Sequence, residues 1–221
     1  MNNQELHLRK SQNPKKIIVI GATGTIGNAV ANTLEEKNYE VVRASRKGAV
    51  QVDLEDSVSI DALFAEVHNV DAVVVTAGSG KLTPLEFLSE EDFTYGMKSK
   101  VLGQVALIRR AVDHLRDGGS ITITSGNMFE NLIPGSAVSA FVNNGLEGFV
   151  RAAAAELPRG IRLNIVSPGW VKESLASMSM DLRVNLGLEN VNGTFAIDVA
   201  QAYVKALEGT MQGQTITPKA F

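Results

Sequence analysis

Lys15-Lys16-Ile17-Ile18-Val19-Ile20-Gly21-Ala22-Thr23-Gly24-Thr25-Ile26-Gly27 is the stretch that decides the fold. The Ile-Ile-Val-Ile run is β-branched and apolar on both sides, as in a strand buried on both faces of a sheet. It enters a glycine cluster and then a segment with Ile26, Ala29, Val30 and Leu34 on one helical face. Strand, glycine loop and helix in that order form a phosphate-binding unit. Glycine lets the backbone turn tightly and approach a ligand, and the helix N-terminus presents free N–H groups to an anion. A turn that needs only positive φ is the plainer alternative. The strand-loop-helix context favours a dinucleotide site at Gly21, Thr23, Gly24, Thr25, Ile26 and Gly27.

The same alternation continues outward. Strands are expected at Glu40–Ala44, Ala49–Leu54, Asp71–Val75, Ser120–Thr124, Ile161–Val166 and near Gln214–Thr217. Helices are expected over Thr25–Lys37, over Ser57–Val67, and from a capping-box pattern at Ser89 and Asp92. Further helices are expected through Val101, Val105, Ile108, Val112 and Leu115, over Ser136–Leu157 up to Pro158, and near Asp198–Leu207. With the first strand, the count is seven. The expectation is a single-domain, doubly wound α/β fold over residues 15–221, with a mostly parallel sheet and helices on both faces.

Composition narrows the partners. The chain has 221 residues, 44% apolar, and a formal charge of −3, which argues against a nucleic-acid partner. It has no cysteine, and His7, His68 and His114 are scattered, so no metal site is expected. No apolar run approaches the roughly 18 residues of a membrane span. Residues 1–14 are polar, without the apolar core of a signal peptide, and are expected to be a flexible arm. A cytoplasmic protein acting on a small molecule, away from membranes, is the resulting expectation.

About 20 residues past such a glycine loop, NAD-binding proteins place an acid on the adenosine ribose. Here the region reads Val42-Arg43-Ala44-Ser45-Arg46-Lys47, with no acid between Val41 and Asp53. Ser45 can hydrogen-bond and Arg46 can pair bidentately with a phosphate, so NADP is preferred over NAD. A solvated basic turn is the alternative.

These residues, with those that follow, resemble the short-chain dehydrogenase/reductase family over nearly the whole chain from Lys15 on. The resemblance implies a Rossmann fold. It implies cofactor contacts from Asp53-Leu54 at the adenine, Ala77-Gly78 closing the fourth strand, and Pro168-Gly169 with Val171 at the nicotinamide. Ser125, ending Ile-Thr-Ile-Thr-Ser, matches the catalytic serine, and residues 171–195, with Met178, Met180 and Leu182, match the substrate lid. The helices starting near Val101 and Ser136 resemble those of the family's four-helix interface, implying a homodimer or homotetramer.

The departures are as specific as the matches. Counting back eight and four residues from Glu147 reaches the family's catalytic Tyr and Lys positions, which here hold Ser139 and Asn143. The catalytic Asn position, three residues before Gly103, holds Lys100. Carbonyl reduction needs a proton as well as a hydride, and a serine hydroxyl is a weak acid. A desolvated Lys100 acting with Ser125 is the expected substitute, a surface position on an amphipathic helix being the other reading of Lys100. Asn127 is expected to line the pocket, His114 to be solvated, and Tyr95 to reach the site only if its loop folds inward. Two functions therefore stand: an oxidoreductase with atypical proton-transfer residues, and a catalytically silent NADP(H)-binding sensor. A scaffold that has also lost the cofactor fits the glycine loop least.

Overall fold

A computed structural model describes residues 14–78, 80–127 and 133–218. The expected arm at residues 1–14 lies outside the described residues except for Pro14. Strand β1 is Lys16–Ile20, and the glycine loop delivers the chain into helix α1, Thr25–Glu36. There follow β2 (Glu40–Ser45), β3 (Val50–Gln51), α2 (Ser57–Glu66), β4 (Val70–Val75) and α3 (Glu90–Gly96). A π-helical turn, Met97–Leu102, leads directly into α4, Gly103–His114. Then come β5 (Leu115–Thr124), α5 (Ala137–Ala153), β6 (Arg162–Val166), α6 (Lys172–Ala176), α7 (Met180–Asn185), α8 (Ala196–Glu208) and β7 (Thr215–Ile216).

The seven strands form one sheet in the order β3-β2-β1-β4-β5-β6-β7, with every neighbouring pair parallel. The chain winds outward from β1 to β3, then returns to β4 on the other side of β1. That reversal opens a crevice at the carboxyl ends of β1 and β4, where ligands bind in doubly wound sheets.

Alternate residues of each strand feed opposite cores. Ile18, Ile20, Val73, Val75, Ile121 and Ile123 pack under α2, α4 and α5, with Phe64, Leu107 and Leu146 among their partners. Ile17, Val19, Ala72 and Val74 pack under α1 and α8, with Val30, Leu34, Val199 and Tyr203. Burying each such aliphatic side chain contributes roughly 1.5–3 kcal/mol. The β1 residues Ile17 to Ile20 are at most 1% exposed, which explains their lack of polar alternation.

Boundaries differ from the sequence expectation in places. The third strand is only Val50–Gln51, because Asp53 and Leu54 already belong to the loop that enters α2. β5 begins at Leu115, and its pairing with β4 shifts register between Val70 and Ala72, just where Gly118-Gly119 interrupt the pattern. The capping box at Ser89 and Asp92 forms as expected and opens α3. The stretch after Trp170 carries α6 and α7. A parallel bridge between Val171 and Thr194 closes its base. Met178 packs beside a small cluster of Ile133, Leu175 and Leu188, whereas Met180 and Leu182 face solvent.

Candidate active site

At the end of β1 the backbone turns at Gly21, where φ is +85°. The Gly21 and Ala22 N–H groups donate to the Ala44 carbonyl, at 2.9 and 3.3 Å. Gly27, in the first turn of α1, sits so close that a Cβ there would overlap the Gly21 carbonyl oxygen. Only an unsubstituted backbone allows helix and loop to approach this far. Gly24 is the N-cap of α1, with no side chain capping the first turn, which leaves its N–H groups at Thr25 and Ile26 for a ligand.

A cleft of about 460 Å³ opens over this loop. It is lined by Gly21, Thr23, Gly24, Ser45, Arg46, Asp53, Leu54, Ala77 and Gly78, so these residues, separated in sequence, meet in one cleft. Ser45 is 7% exposed, and its hydroxyl has no hydrogen-bond partner. A buried hydroxyl without a partner is costly unless a ligand supplies one. Arg46 and Lys47 stand exposed on the same rim, and neither forms an ion pair with a described residue. The Asp53 carboxylate accepts the Glu55 N–H at 3.0 Å and fixes this loop. The residues present thus fit the adenosine half of a dinucleotide.

Beyond Gly78 a second cavity, about 360 Å³, holds Ile26, Lys100, Ser125, Asn127, Ser139, Asn143, Pro168 and Gly169 together. Val171, the last nicotinamide candidate, is 5% exposed and bridges to Thr194. Lys100 rises from the π-helical turn, and its stem lies against Gly78. π-Turns interrupting α-helices recur at functional sites. The Lys100 ammonium donates to the Ser125 main-chain carbonyl at 2.9 Å. Burial pushes its pKa down to about 8, opposed by the nearby Glu147 carboxylate. Lys100 is therefore not on a solvated helix face.

The floor of the pocket is rigid. Gln104, fully buried, donates to the Thr124 carbonyl at 3.0 Å and accepts the Thr124 N–H at 3.1 Å. The Thr124 hydroxyl reaches the Val75 carbonyl and lies 2.6 Å from the Tyr203 hydroxyl. Burial raises the Tyr203 pKa above its ordinary value. These contacts hold the end of β5 one residue before Ser125.

Ser125 itself is 2% exposed, and its hydroxyl donates to Glu147 Oε1 at 2.7 Å. The Ser167 hydroxyl, just past β6, donates to the same oxygen at 2.8 Å. Asn143 is buried with its Oδ1 unpartnered, and the Ser139 hydroxyl lies against Gly80. Glu147 is the residue that the sequence reading missed. The signal was available: Ser139, Asn143 and Glu147 recur every four residues and share one helix face. Tyr95 lines the dinucleotide cleft rather than the second cavity. His114 is exposed at its edge, but its ring stacks on Phe64 with centroids 4.8 Å apart.

A parallel doubly wound sheet with a glycine loop at its switch point and a lysine–serine pocket beyond it defines a dinucleotide-type oxidoreductase architecture. The chain belongs to the short-chain dehydrogenase/reductase family. A family model described as Enoyl-(Acyl carrier protein) reductase matches residues 21–186. The chain is 30% identical over 181 residues to an uncharacterized oxidoreductase of Methylorubrum extorquens, covering 71% of this chain and 73% of the relative. It is 33% identical over 132 residues to the hydroxynaphthalene reductase arp2 of Aspergillus fumigatus, covering 58% of this chain and 48% of that protein. Among solved structures, the protein lin1944 from Listeria innocua superposes with a TM-score of 0.85 at 37% identity, over 93% of this chain and 100% of that one. A small-chain dehydrogenase in complex with NADPH superposes with a TM-score of 0.81 at 29% identity, over 92% and 96%.

Proposed function

We propose that this chain is an NADP(H)-dependent oxidoreductase that interconverts a small carbonyl compound and its alcohol. The observation that carries the reading is that the cleft holding Ser45, Arg46 and the glycine loop and the cavity holding Lys100 and Ser125 adjoin, sharing Thr76 and Gly78 in their walls. The unpartnered Ser45 hydroxyl and the free Arg46 guanidinium suit a ribose 2′-phosphate, and the NADPH held by a structural relative agrees with that assignment. When bound, the nicotinamide supplies or accepts a hydride. Thr25, Ile26 and Gly27 would hold the pyrophosphate at the start of α1. Asp53 and Leu54 would flank the adenine. Ala77, Gly78, Pro168, Gly169 and Val171 would border the nicotinamide.

In this reading Lys100 and Ser125 meet the substrate oxygen. The Lys100 charge stabilises the developing alkoxide, and the pair supplies the proton. Ser139 and Asn143 fill the places where the family carries Tyr and Lys. Residues 171–195 close over the substrate as a lid, and the chain works in the cytoplasm as a homodimer or homotetramer.

The reading is tested by titrating the protein with NADPH and NADH. A turnover screen with quinones, aldehydes and ketones follows. NADPH-specific binding with turnover is expected. A second reading, a silent NADP(H)-binding sensor, is favoured by one observation: neither Ser139 nor Asn143 is ionisable. It takes over if NADPH binds and no compound is turned over.

A further inference from the structure

Among the described residues Lys100 is the ionisable side chain lining the second cavity, and Glu147 stands outside it, behind Ser125. The carboxylate therefore reaches the cavity through the Ser125 hydroxyl. A serine hydroxyl has one hydrogen and two lone pairs. That hydrogen is committed to Glu147 at 2.7 Å, the usual length of a hydroxyl–carboxylate bond. Toward the cavity Ser125 consequently presents lone pairs and acts as an acceptor, while Lys100 acts as the donor. Ser167 donates to the same Glu147 oxygen at 2.8 Å and holds the carboxylate in this orientation. Three elements meet in the arrangement: the ends of β5 and β6, and α5.

We propose that Ser125 and Glu147 form a two-member proton relay, in which Glu147 stores the proton that the substrate oxygen exchanges. With an alcohol in the cavity, the substrate O–H bond breaks, its electron pair stays on the substrate oxygen, and the proton passes to Ser125 Oγ. The original Ser125 proton passes to Glu147 Oε1, so two O–H bonds break and two form. In the reverse direction a protonated Glu147 returns its proton through Ser125 to the alkoxide. The relay gives a weakly acidic serine the proton supply of a carboxylic acid. It thereby offsets the absence of Tyr and Lys at positions 139 and 143. Lys100 supplies charge opposite it. Glu147 acts through Ser125 and does not touch the substrate.

The relay rests on the redox reading above, and its test separates the two. Glu147→Gln keeps an oxygen that accepts from both serines, yet it takes up no proton. For this variant kcat is expected to fall by about 10²–10⁴-fold, with KM and the NADPH Kd within about threefold of wild type. Glu147→Asp is expected to restore part of the rate. A Gln variant within about threefold of the wild-type kcat, or an Asp variant no faster than the Gln variant, overturns the relay alone. If neither variant folds, wild type is examined by calorimetry, with acetamide as an unreactive carbonyl probe added to the NADPH complex in two buffers of different ionisation enthalpy. Proton uptake supports the relay, and its absence overturns it. A wild type that binds NADPH and turns over no carbonyl overturns the redox reading, and the relay falls with it.

Discussion

The Lys100 ammonium is held 2.9 Å from the main-chain carbonyl oxygen of Ser125, so a helix residue and the end of a central strand share one hydrogen bond inside the pocket. The cost of burying that amine is visible in its pKa, lowered from 10.5 to about 8. A lysine whose folded pKa is depressed binds protons less readily folded than unfolded. Its penalty on stability is full below about pH 8 and disappears as the pH rises to about 10.5. Lys100→Met is therefore expected to stabilise the fold near neutral pH, by on the order of 3 kcal/mol at most. The variant should also lose the rise in stability that wild type shows between those two pH values. Urea unfolding across that range checks it.

Cofactor choice is tested at the rim of the dinucleotide cleft. Arg46→Ala should weaken NADPH binding by about 1.5–3 kcal/mol, the worth of a charge-assisted phosphate contact, and leave NADH binding nearly unchanged. Fluorescence titration of both cofactors against both proteins measures the effect. Equal affinities for NADPH and NADH, unmoved by the substitution, would remove the NADP assignment.

Gly27→Ala tests the closeness of loop and helix. Its methyl group would overlap the Gly21 carbonyl oxygen, so the loop must shift. Dinucleotide binding is expected to be lost, with a fall in stability of about 1–3 kcal/mol from overpacking. Thermal unfolding with and without NADPH reads both effects: the variant should melt lower and gain nothing from the cofactor.

Much of this was readable in the chain. The strand-loop-helix unit at 15–27 and the alternation after it specify a doubly wound sheet, because buried parallel strands must be apolar on both faces. The short third strand was less legible, since Asp53 and Leu54 continue the polar–apolar alternation of Val50, Gln51 and Val52, and only the loop hydrogen bonds of Asp53 end the strand. The glycine loop, Ser45 and Lys100 carried their own chemical signals. Glu147 offered only its four-residue spacing from Ser139 and Asn143, because a glutamate in a helix ordinarily faces solvent. Its role depends on Ser125 and Ser167, which are 22 and 20 residues away and come from two different strands. Gln104 was hidden for the same reason: its partner, Thr124, is brought to it only when α4 docks on β5.

That buried amide yields a further prediction. Gln104→Met keeps the volume and removes both hydrogen bonds to Thr124. It leaves a buried N–H and a buried C=O unpaired, at about 1–3 kcal/mol each. A loss of about 2–6 kcal/mol in urea unfolding is expected, with slower turnover because Ser125 follows directly. A variant as stable as wild type would mean that the clamp does not hold the strand end.

The proposed homo-oligomer is tested by its mass in solution. Phe141 on α5 is 54% exposed and packs against Phe93 of α3 with centroids 5.0 Å apart and the rings tilted by 46°, presenting aromatic surface on α3 and α5. Light scattering is expected to give two or four times the 23.6 kDa chain mass, and a single 23.6 kDa species would refute the oligomer.

In the proposed function this pocket exchanges a proton and a hydride with a small carbonyl compound although Ser139 and Asn143 stand in place of Tyr and Lys. The most direct measurement is the carbonyl-dependent oxidation of NADPH by wild type and by Lys100→Met, run side by side on one panel of aldehydes, ketones and quinones. Turnover by wild type and a loss of about 10²–10⁴-fold in the variant are expected, with NADPH affinity nearly unchanged. Full turnover by Lys100→Met on the same compound, or tight NADPH binding by wild type with no oxidation by any member of the panel, would contradict the proposal.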